Sequence, residues 1–284
     1  MDDAREPARY VGASHYADLM GRAAAFFDLD KTIIARSSTL AFSRPLFAEG
    51  LLTRRAVLRS AYAQFVFASS GADHEQMEAM RSYLTSMVAG WDVETVRQVV
   101  SETLHDIIDP IVYAEAVELI ESHHAAGRDV VIVSASGSEV VEPIGAMLGV
   151  DRVIATQLEI EDGRYTGEIL EYAYGPGKAR LIRELAQTEG YDLDASFAYS
   201  DSETDIAMLE TVGHPFAVNP DKVLRQRAEA EGWPVLTFAR PVALQNPLAL
   251  STPTGKAMAA VGAAASVSLV GAAIAGILSR RRNL

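Results

Sequence analysis

Several features that often define a function class are missing from this sequence of 284 residues. It has no cysteine, which excludes a disulfide framework and thiolate chemistry. Acidic residues outnumber basic ones, 38 to 25, so the net charge is −13 and the basic face of a nucleic-acid-binding protein is not expected. Residues 1–22 are acidic and lack a long apolar core, so we expect a loose N-terminal arm and no secretory signal.

Charge is absent from a long run near the C-terminus. Residues 257–278, AMAAVGAAASVSLVGAAIAGIL, are uncharged and long enough to cross the hydrocarbon layer, roughly 30 Å thick, as a helix. We predict a single-pass C-terminal membrane anchor here, after a linker at 241–256; a buried Ala-rich core helix is the alternative. Small residues four apart, such as Gly262 and Ser266, are typical of helices that pack closely, which points to a homodimer.

The side of the membrane follows from two opposing signals. The three arginines at 280–282 favour the cytoplasm for the C-terminal tip. The missing export signal instead favours the cytoplasm for the rest of the chain, and we give this signal more weight. We therefore expect a cell-membrane protein with a cytoplasmic catalytic domain.

Residues 38–107 have the pattern of helices without a strand signal. Asp73 and Asp92 suit helix N-caps, and Gly50 and Gly90 suit helix ends. We predict an all-helical insertion over this range.

Residues 23–37 and 108–240 carry the main domain. Strands alternate with helices, which include predicted helices at 110–126 and 205–211, and this order predicts an α/β fold with a doubly wound, Rossmann-like parallel sheet. The segment LEIEDGRYTGEIL, at 158–170, alternates around an Asp-Gly pair and predicts a β-hairpin.

Two carboxylates follow the first predicted strand. In FFDLDKTI, Asp28 and Asp30 are separated by one residue, so both side chains crowd onto one side. Two anions held so close repel, and at least one should keep its proton or need a cation.

Polar residues also end other predicted strands. In parallel sheets, ligands bind beyond the carboxyl ends of the strands. Ser134 and Ser136 follow one strand, Asp201 and Asp205 follow another, and Lys178 opens a helix after Gly175-Pro176-Gly177. Clustered carboxylates suit Mg²⁺, which takes oxygen ligands, and cations beside a hydroxyl suit a phosphoryl group.

These four motifs resemble those of the haloacid dehalogenase (HAD) superfamily of phosphohydrolases. FFDLDKTI is similar to its D-x-D-x-T signature, VIVSAS to its strand-end serine, GPGK to its lysine and YSDSETD to its paired acidic motif. The helical insertion resembles the family's cap domain. The position of the insertion and the hairpin point to the branch of the family that resembles phosphoserine phosphatase (SerB).

The resemblance implies a role for each residue. Asp28 is expected to be the nucleophile, Asp30 the general acid/base, and Lys178 the group that neutralises the phosphoryl charge. Substrate contacts are expected from Ser134, which would hold a phosphoryl oxygen, and from Thr32, Arg36 and Ser136. Mg²⁺ is expected on Asp28, the Asp30 carbonyl and Asp201, with Asp205 as a ligand or as a partner of one.

The resemblance implies a Mg²⁺-dependent phosphatase that acts through an aspartyl-phosphate on a small or lipid-linked phosphate ester. Arg36-Ser37-Ser38 stands where relatives that cleave phosphoserine carry acidic residues, so we expect an anionic substrate group there. A phosphotransferase, a phospho-accepting receiver domain and a non-catalytic membrane-tethered regulator are the alternatives.

Overall fold

The computed structural model describes residues 22–52 and 87–240. These residues belong to the first of two compact units of the chain, Met1–Leu244. Within the described ranges, no helix is both long and apolar enough to span a bilayer. The predicted anchor at 257–278, its linker, nearly all of the N-terminal arm and Asp73 lie outside these ranges, and the domain boundaries stay predictions.

One sheet of seven strands organises the described residues. Its order is β4-β3-β2-β1-β5-β6-β7, and every neighbouring pair is parallel except the antiparallel pair β3 and β4. The strands are β1 (Ala24–Phe27), β2 (Asp129–Gly137), β3 (Arg152–Glu161), β4 (Arg164–Glu171), β5 (Phe197–Ser200), β6 (His214–Val218) and β7 (Val235–Leu236). The predicted α/β fold with a parallel sheet is confirmed, as is the hairpin.

Eight α-helices are described beside this sheet. They are α1 (Ser38–Ala41), α2 (Ser43–Ala48), α3 (Val93–Ile108), α4 (Ala114–Ala125), α5 (Ser138–Leu148), α6 (Pro176–Glu189), α7 (Ile206–Leu209) and α8 (Lys222–Glu231). Two 3-10 turns precede helices, at Asp109–Ile111 and Glu203–Asp205. Asp92 caps α3 as predicted, since its side chain accepts the Thr95 N–H at 2.9 Å.

The two faces of the sheet carry separate hydrophobic clusters. Successive residues of β1 alternate between them, with Phe27 in the cluster under α3, α4 and α5, and Phe26 in the cluster under α6, α7 and α8. All four residues of β1 are fully buried, which explains why its sequence is uniformly apolar.

The described part of the insertion packs directly on the main domain. Val96, Val100 and Ile108 of α3 belong to the same cluster as Phe27. The segment before α3 also pairs with the hairpin: Gly90 N–H donates to the Tyr165 carbonyl at 2.7 Å and Tyr165 N–H donates to the Trp91 carbonyl at 3.1 Å. The chain therefore returns from the insertion along the edge of β4.

Two predicted helices differ from the structure. The helix predicted over 110–126 begins only at Ala114, because Val112 and Tyr113 are extended and Val112 forms a β-bridge with Ile34. The helix predicted over 205–211 is α7, preceded by a 3-10 turn that Ser202 caps through the Thr204 N–H.

Candidate active site

The polar residues singled out from the sequence converge on one edge of the sheet. Asp28 follows β1, Ser134 lies in β2 and Asp201 follows β5. Since β2 and β5 both pair with β1 in parallel, their carboxyl ends lie together. Lys178 lies in the first turn of α6 and reaches the same place.

The first loop turns sharply so that Asp28 and Asp30 leave β1 together. The Leu29 carbonyl accepts the N–H groups of Ile33 and Ile34 at 3.0 and 3.1 Å. Lys31 has a φ of 62°, a left-handed conformation that an L-residue adopts at some cost. The Asp28 N–H donates to the Tyr199 carbonyl of β5 at 2.9 Å, so the hydrogen bonding between β1 and β5 continues as far as Asp28.

Lys178 is the buried cation of the site. Its Nζ lies 2.6 Å from Asp28 Oδ1 and 2.7 Å from Asp205 Oδ2, and the residue is only 2% exposed. Burial opposes its charge, but the carboxylates of Asp205 and Asp28 hold the pKa of Lys178 above its usual value. Lys178 therefore stays an ammonium group beside Asp28.

A glycine loop places Lys178. Gly175 has a φ of 52°, and a Cβ on Gly177 would lie 2.3 Å from the Tyr172 carbonyl oxygen. A side chain at residue 177 therefore cannot fit without moving the backbone, which explains the Gly-Pro-Gly-Lys sequence in physical terms.

Asp205 holds the lysine. Its Oδ2 accepts both Lys178 Nζ and the Ser200 hydroxyl, each at 2.7 Å, and the residue is buried. Asp205 therefore contacts Lys178 and Ser200, and its role as a metal ligand or as a partner of one stays a prediction. Ser200 was not singled out from the sequence, although it is the last residue of β5 and a polar side chain at such an end is a usable signal.

Asp201 is buried, and within residues 22–52 and 87–240 it has no close cationic partner. Lys31 Nζ lies 3.9 Å away on an exposed side chain. Burial, partly offset by Lys31, raises the pKa of Asp201 to about 6. The Asp201 carbonyl accepts the Asp221 N–H at 2.8 Å, and the Asp221 carboxylate accepts the Glu203 N–H at 2.7 Å, so Asp221 fixes this loop from α8. Asp221 was not singled out from the sequence.

Asp30 is bound by the first turn of the insertion. Its Oδ1 accepts the Ser38 N–H at 2.8 Å. Burial raises the pKa of Asp30, against the hydrogen bonds from Ser38 and Ser37. Thr32 is fully buried, and its hydroxyl has no hydrogen-bond partner among the described residues.

The remaining predicted substrate residues lie around this core. Ser134 is buried, and its hydroxyl accepts the Ser136 N–H at 3.2 Å. The hydroxyls of Ser136 and Ser38 are 2.8 Å apart. Arg36 is exposed, and no ion pair joins it to another of the described residues.

The donor set fits a divalent cation by its charge. If ionised, the four carboxylates of the site outnumber the ammonium groups of Lys178 and Lys31 by two. Burial and the neighbouring carboxylate of Asp205 raise the pKa of Asp28 despite the contact with Lys178. No group of three or more acidic or His side chains in the described ranges is itself arranged as a metal site. A cation here would thus combine the carboxylates of Asp28 and Asp201 with backbone oxygen.

A parallel α/β sheet that holds a carboxylate against a buried lysine at its carboxyl edge defines an enzyme suited to phosphoryl transfer. The family model described as haloacid dehalogenase-like hydrolase matches residues 25–210. The chain therefore belongs to the haloacid dehalogenase-like hydrolases, and the resemblance inferred from the four motifs is confirmed. We assign it as a phosphoric monoester hydrolase of this family.

Three similar proteins span most of the chain, and two of them are named as phosphatases. A Streptomyces azureus protein named for inhibition of morphological differentiation is 61% identical, over 87% of this chain and 91% of its own length. A probable phosphatase of Mycobacterium tuberculosis is 58% identical, over 92% and 90%. A phosphoserine phosphatase, SerB1, of the same organism is 33% identical, over 99% and 88%.

A solved structure shares the fold. It is a protein of unknown function from Bordetella pertussis Tohama I, 30% identical, with a TM-score of 0.67. The match covers 76% of this chain and 99% of that chain.

Proposed function

We propose that the protein is a Mg²⁺-dependent phosphomonoesterase that works through an aspartyl-phosphate on Asp28. The observation that carries this proposal is the position of Asp28, which is buried beside the ammonium group of Lys178 at 2.6 Å. A carboxylate in that position can attack an anionic phosphoryl group, because the lysine compensates the charge of both groups.

The first step forms a covalent intermediate. A carboxylate oxygen of Asp28 attacks phosphorus, and the bond between phosphorus and the ester oxygen breaks. Asp30 gives its proton to the leaving oxygen, a role that suits a carboxyl whose pKa is raised by burial. The Ser134 hydroxyl and Lys178 hold the phosphoryl oxygens.

The second step releases phosphate. Asp30, now ionised, takes a proton from a water molecule as that water attacks phosphorus. The bond between phosphorus and the Asp28 oxygen breaks, so that inorganic phosphate leaves and the free carboxylate returns. Asp205 and Ser200 keep Lys178 in place throughout both steps.

Mg²⁺ is assigned to the carboxylates of Asp28 and Asp201 and the carbonyl of Asp30. When bound, it neutralises charge on the phosphoryl oxygens. The surplus of buried carboxylates supports this assignment.

The substrate is a small or lipid-linked phosphate ester with a second anionic group. Exposed Arg36 supports this choice, because it offers a cation two residues before Ser38, whose N–H bonds Asp30. The family resemblance implies acidic residues at these positions in proteins that cleave phosphoserine. Phosphoserine therefore serves as a test substrate. The uncharged run at 257–278 supports a membrane anchor, a homodimer through that segment and access to lipid phosphates.

The proposal is tested with the full-length protein in detergent. A panel of phosphometabolites, phosphoserine and lipid phosphates is assayed for phosphate release, with Mg²⁺ and with EDTA. We expect many turnovers with Mg²⁺ and none with EDTA. A single stoichiometric phosphorylation of the protein would indicate a receiver domain. Transfer of the phosphoryl group to added glycerol would indicate a phosphotransferase. The absence of reaction with every substrate would indicate a regulator without catalysis.

A further inference from the structure

The carboxylate of Asp30 is bound by a segment outside the main sheet. Its Oδ1 accepts the Ser38 N–H at 2.8 Å, and Ser38 is the first residue of α1. The side chain of Asp28, by contrast, is bound by Lys178. The orientation of Asp30 is therefore set by the place of the turn around residue 38.

This turn depends on support from elsewhere. Helix α1 has only four residues, and the side chain of Ser37 makes no capping hydrogen bond. Ser38 is fully buried, and its hydroxyl lies 2.8 Å from that of Ser136. The hydroxyl of Thr39 is 3.2 Å from the same Ser136 oxygen.

The position of Ser136 is built into the sheet. The pairing of β2 with β3 shifts in register between Ser134 and Gly137, so β2 carries an irregularity there. Such irregularities re-aim side chains. The Ser136 N–H donates to the Ser134 hydroxyl at 3.2 Å, so Ser136 also contacts the residue expected to hold the phosphoryl group.

We propose that Ser38 and Ser136 are positioning residues, whose hydroxyl contact fixes the turn that orients Asp30 for proton transfer to the leaving oxygen. In this role Ser136 acts through Ser38, and Ser38 acts through its hydrogen bond to Asp30. The inference rests on the proposed function, since it concerns the acid of the same reaction.

A series of leaving groups separates this role from a general structural one. An alkoxide or unsubstituted phenoxide leaves slowly without a proton, whereas 4-nitrophenoxide needs little assistance. A misplaced Asp30 therefore slows formation of the aspartyl-phosphate, which kcat/KM reports, selectively for the first kind of ester. A distorted site slows both kinds to the same extent.

The experiment measures kcat and KM of the full-length protein, with Mg²⁺, on a simple alkyl phosphate, phenyl phosphate and 4-nitrophenyl phosphate. For Ser136→Ala and Ser38→Ala we expect kcat/KM, which reports formation of the aspartyl-phosphate, to fall about tenfold on the alkyl and phenyl esters and less than about twofold on the nitrophenyl ester. The tenfold loss is smaller than the roughly 10²–10⁴-fold that a general acid contributes, because Asp30 is displaced and not removed. Asp30→Asn should show the same selectivity with larger factors.

Two variants act as controls. Ser43→Ala removes a hydroxyl of the neighbouring helix that, among the described residues, bonds the Leu40 carbonyl alone, and it should leave the rates on all three substrates unaffected. Ser136→Thr keeps the hydroxyl and should restore most of the rate.

A measurement of unfolding checks the contact without turnover. In urea denaturation, Ser38→Ala and Ser136→Ala should together shift the midpoint by less than the sum of the single shifts, because both remove the same contact. Additive shifts, or equal loss of kcat/KM on all three esters, would overturn this inference alone. If the wild-type protein hydrolyses no phosphate ester, the proposed function fails, and this inference fails with it.

Discussion

The two edges of the sheet differ in how their carboxylates are paired with cations. At the amino edge, the carboxylate of Asp129 lies 2.7 Å from Arg22 and accepts the Tyr191 hydroxyl at 2.6 Å, and Arg152 pairs with Glu189. Each of these two anions has its own cation, and both pairs are partly open to solvent. At the carboxyl edge, several buried carboxylates share one buried ammonium group.

The difference separates a structural arrangement from a functional one. Paired charges near the surface contribute little, and they need nothing further. Unmatched buried charges cost stability unless a ligand compensates them. The carboxyl edge is therefore the place where this chain gives up stability for binding and chemistry.

The largest expected effect is a loss of activity when the carboxyl edge of the sheet is altered but not when the amino edge is. Asp28→Asn removes the nucleophile, so phosphate release should fall by roughly 10⁴-fold or more, as when other covalent nucleophiles are removed. The variant should still fold, since an amide oxygen can accept from Lys178. The control is Asp129→Asn at the amino edge, which should keep its activity. Unchanged turnover of Asp28→Asn would show that the nucleophile is another residue.

The next effect concerns stability. Lys178→Met leaves Asp28 and Asp205 buried without their ammonium partner, and breaking such a buried pair should lower the unfolding free energy by about 3–5 kcal/mol. Arg22→Ala at the amino edge breaks an exposed pair and should cost less than about 1 kcal/mol. Urea denaturation measures both values, and equal losses would contradict the contrast between the edges.

A third effect is a pH dependence in metal-free protein. Because the pKa of Asp201 is raised to about 6, the folded state binds this proton more tightly than the unfolded state. The resulting stability is fully present below about pH 4 and is lost as the pH rises through about 6, a change of about 3 kcal/mol. The measurement is urea denaturation in EDTA from pH 4 to 7, for wild type and Asp201→Asn.

The difference in stability between the wild type and Asp201→Asn isolates the contribution of Asp201 to the pH dependence. Buried His123 has its pKa lowered to about 4, so it adds the opposite slope, but it adds it to both proteins. The wild type should therefore lose stability relative to Asp201→Asn as the pH rises. A difference that stays constant with pH would mean that Asp201 is not desolvated.

The smallest effect tests backbone strain in the first loop. Lys31→Gly removes a side chain from a left-handed position, so the unfolding free energy should rise by up to about 1 kcal/mol. Lys31→Ala removes the ammonium group but keeps the Cβ, and it should give no such gain. Thermal unfolding in EDTA measures the stability of both variants. Equal gains for Lys31→Gly and Lys31→Ala would assign the effect to the lost charge.

Local patterns in the sequence were enough to predict the strands, the hairpin and the edge where the site lies. Asp28 and Asp201 directly follow a strand, Lys178 lies in the first turn of a helix, and Ser134 lies in the last half of β2; a parallel sheet brings such positions together. These predictions depend on patterns of residues that are close together in the sequence, and such patterns can be recognised without the structure.

Contacts between distant segments were not predictable in the same way. The contact of Ser38 with Ser136 joins residues 98 apart in the chain. His123 stands at a helix end that would favour a charged imidazole, yet Tyr199 and Arg128 bond both ring nitrogens and the ring is buried. Tertiary packing decided these environments, and no local pattern encodes it.

The pairing of the hairpin with residues 90 and 91 bears on protein engineering. Chimaeras that exchange specificity modules between relatives are usually spliced at the two ends of the inserted segment. Here a splice at residue 107 would discard nearly all of α3, which contributes Val96 and Val100 to the main hydrophobic cluster. It would also remove Gly90 and Trp91, whose backbone groups hydrogen-bond with Tyr165 of the hairpin. A functional swap should instead be cut between Leu52 and Val88, with the hairpin and α3 retained from the recipient.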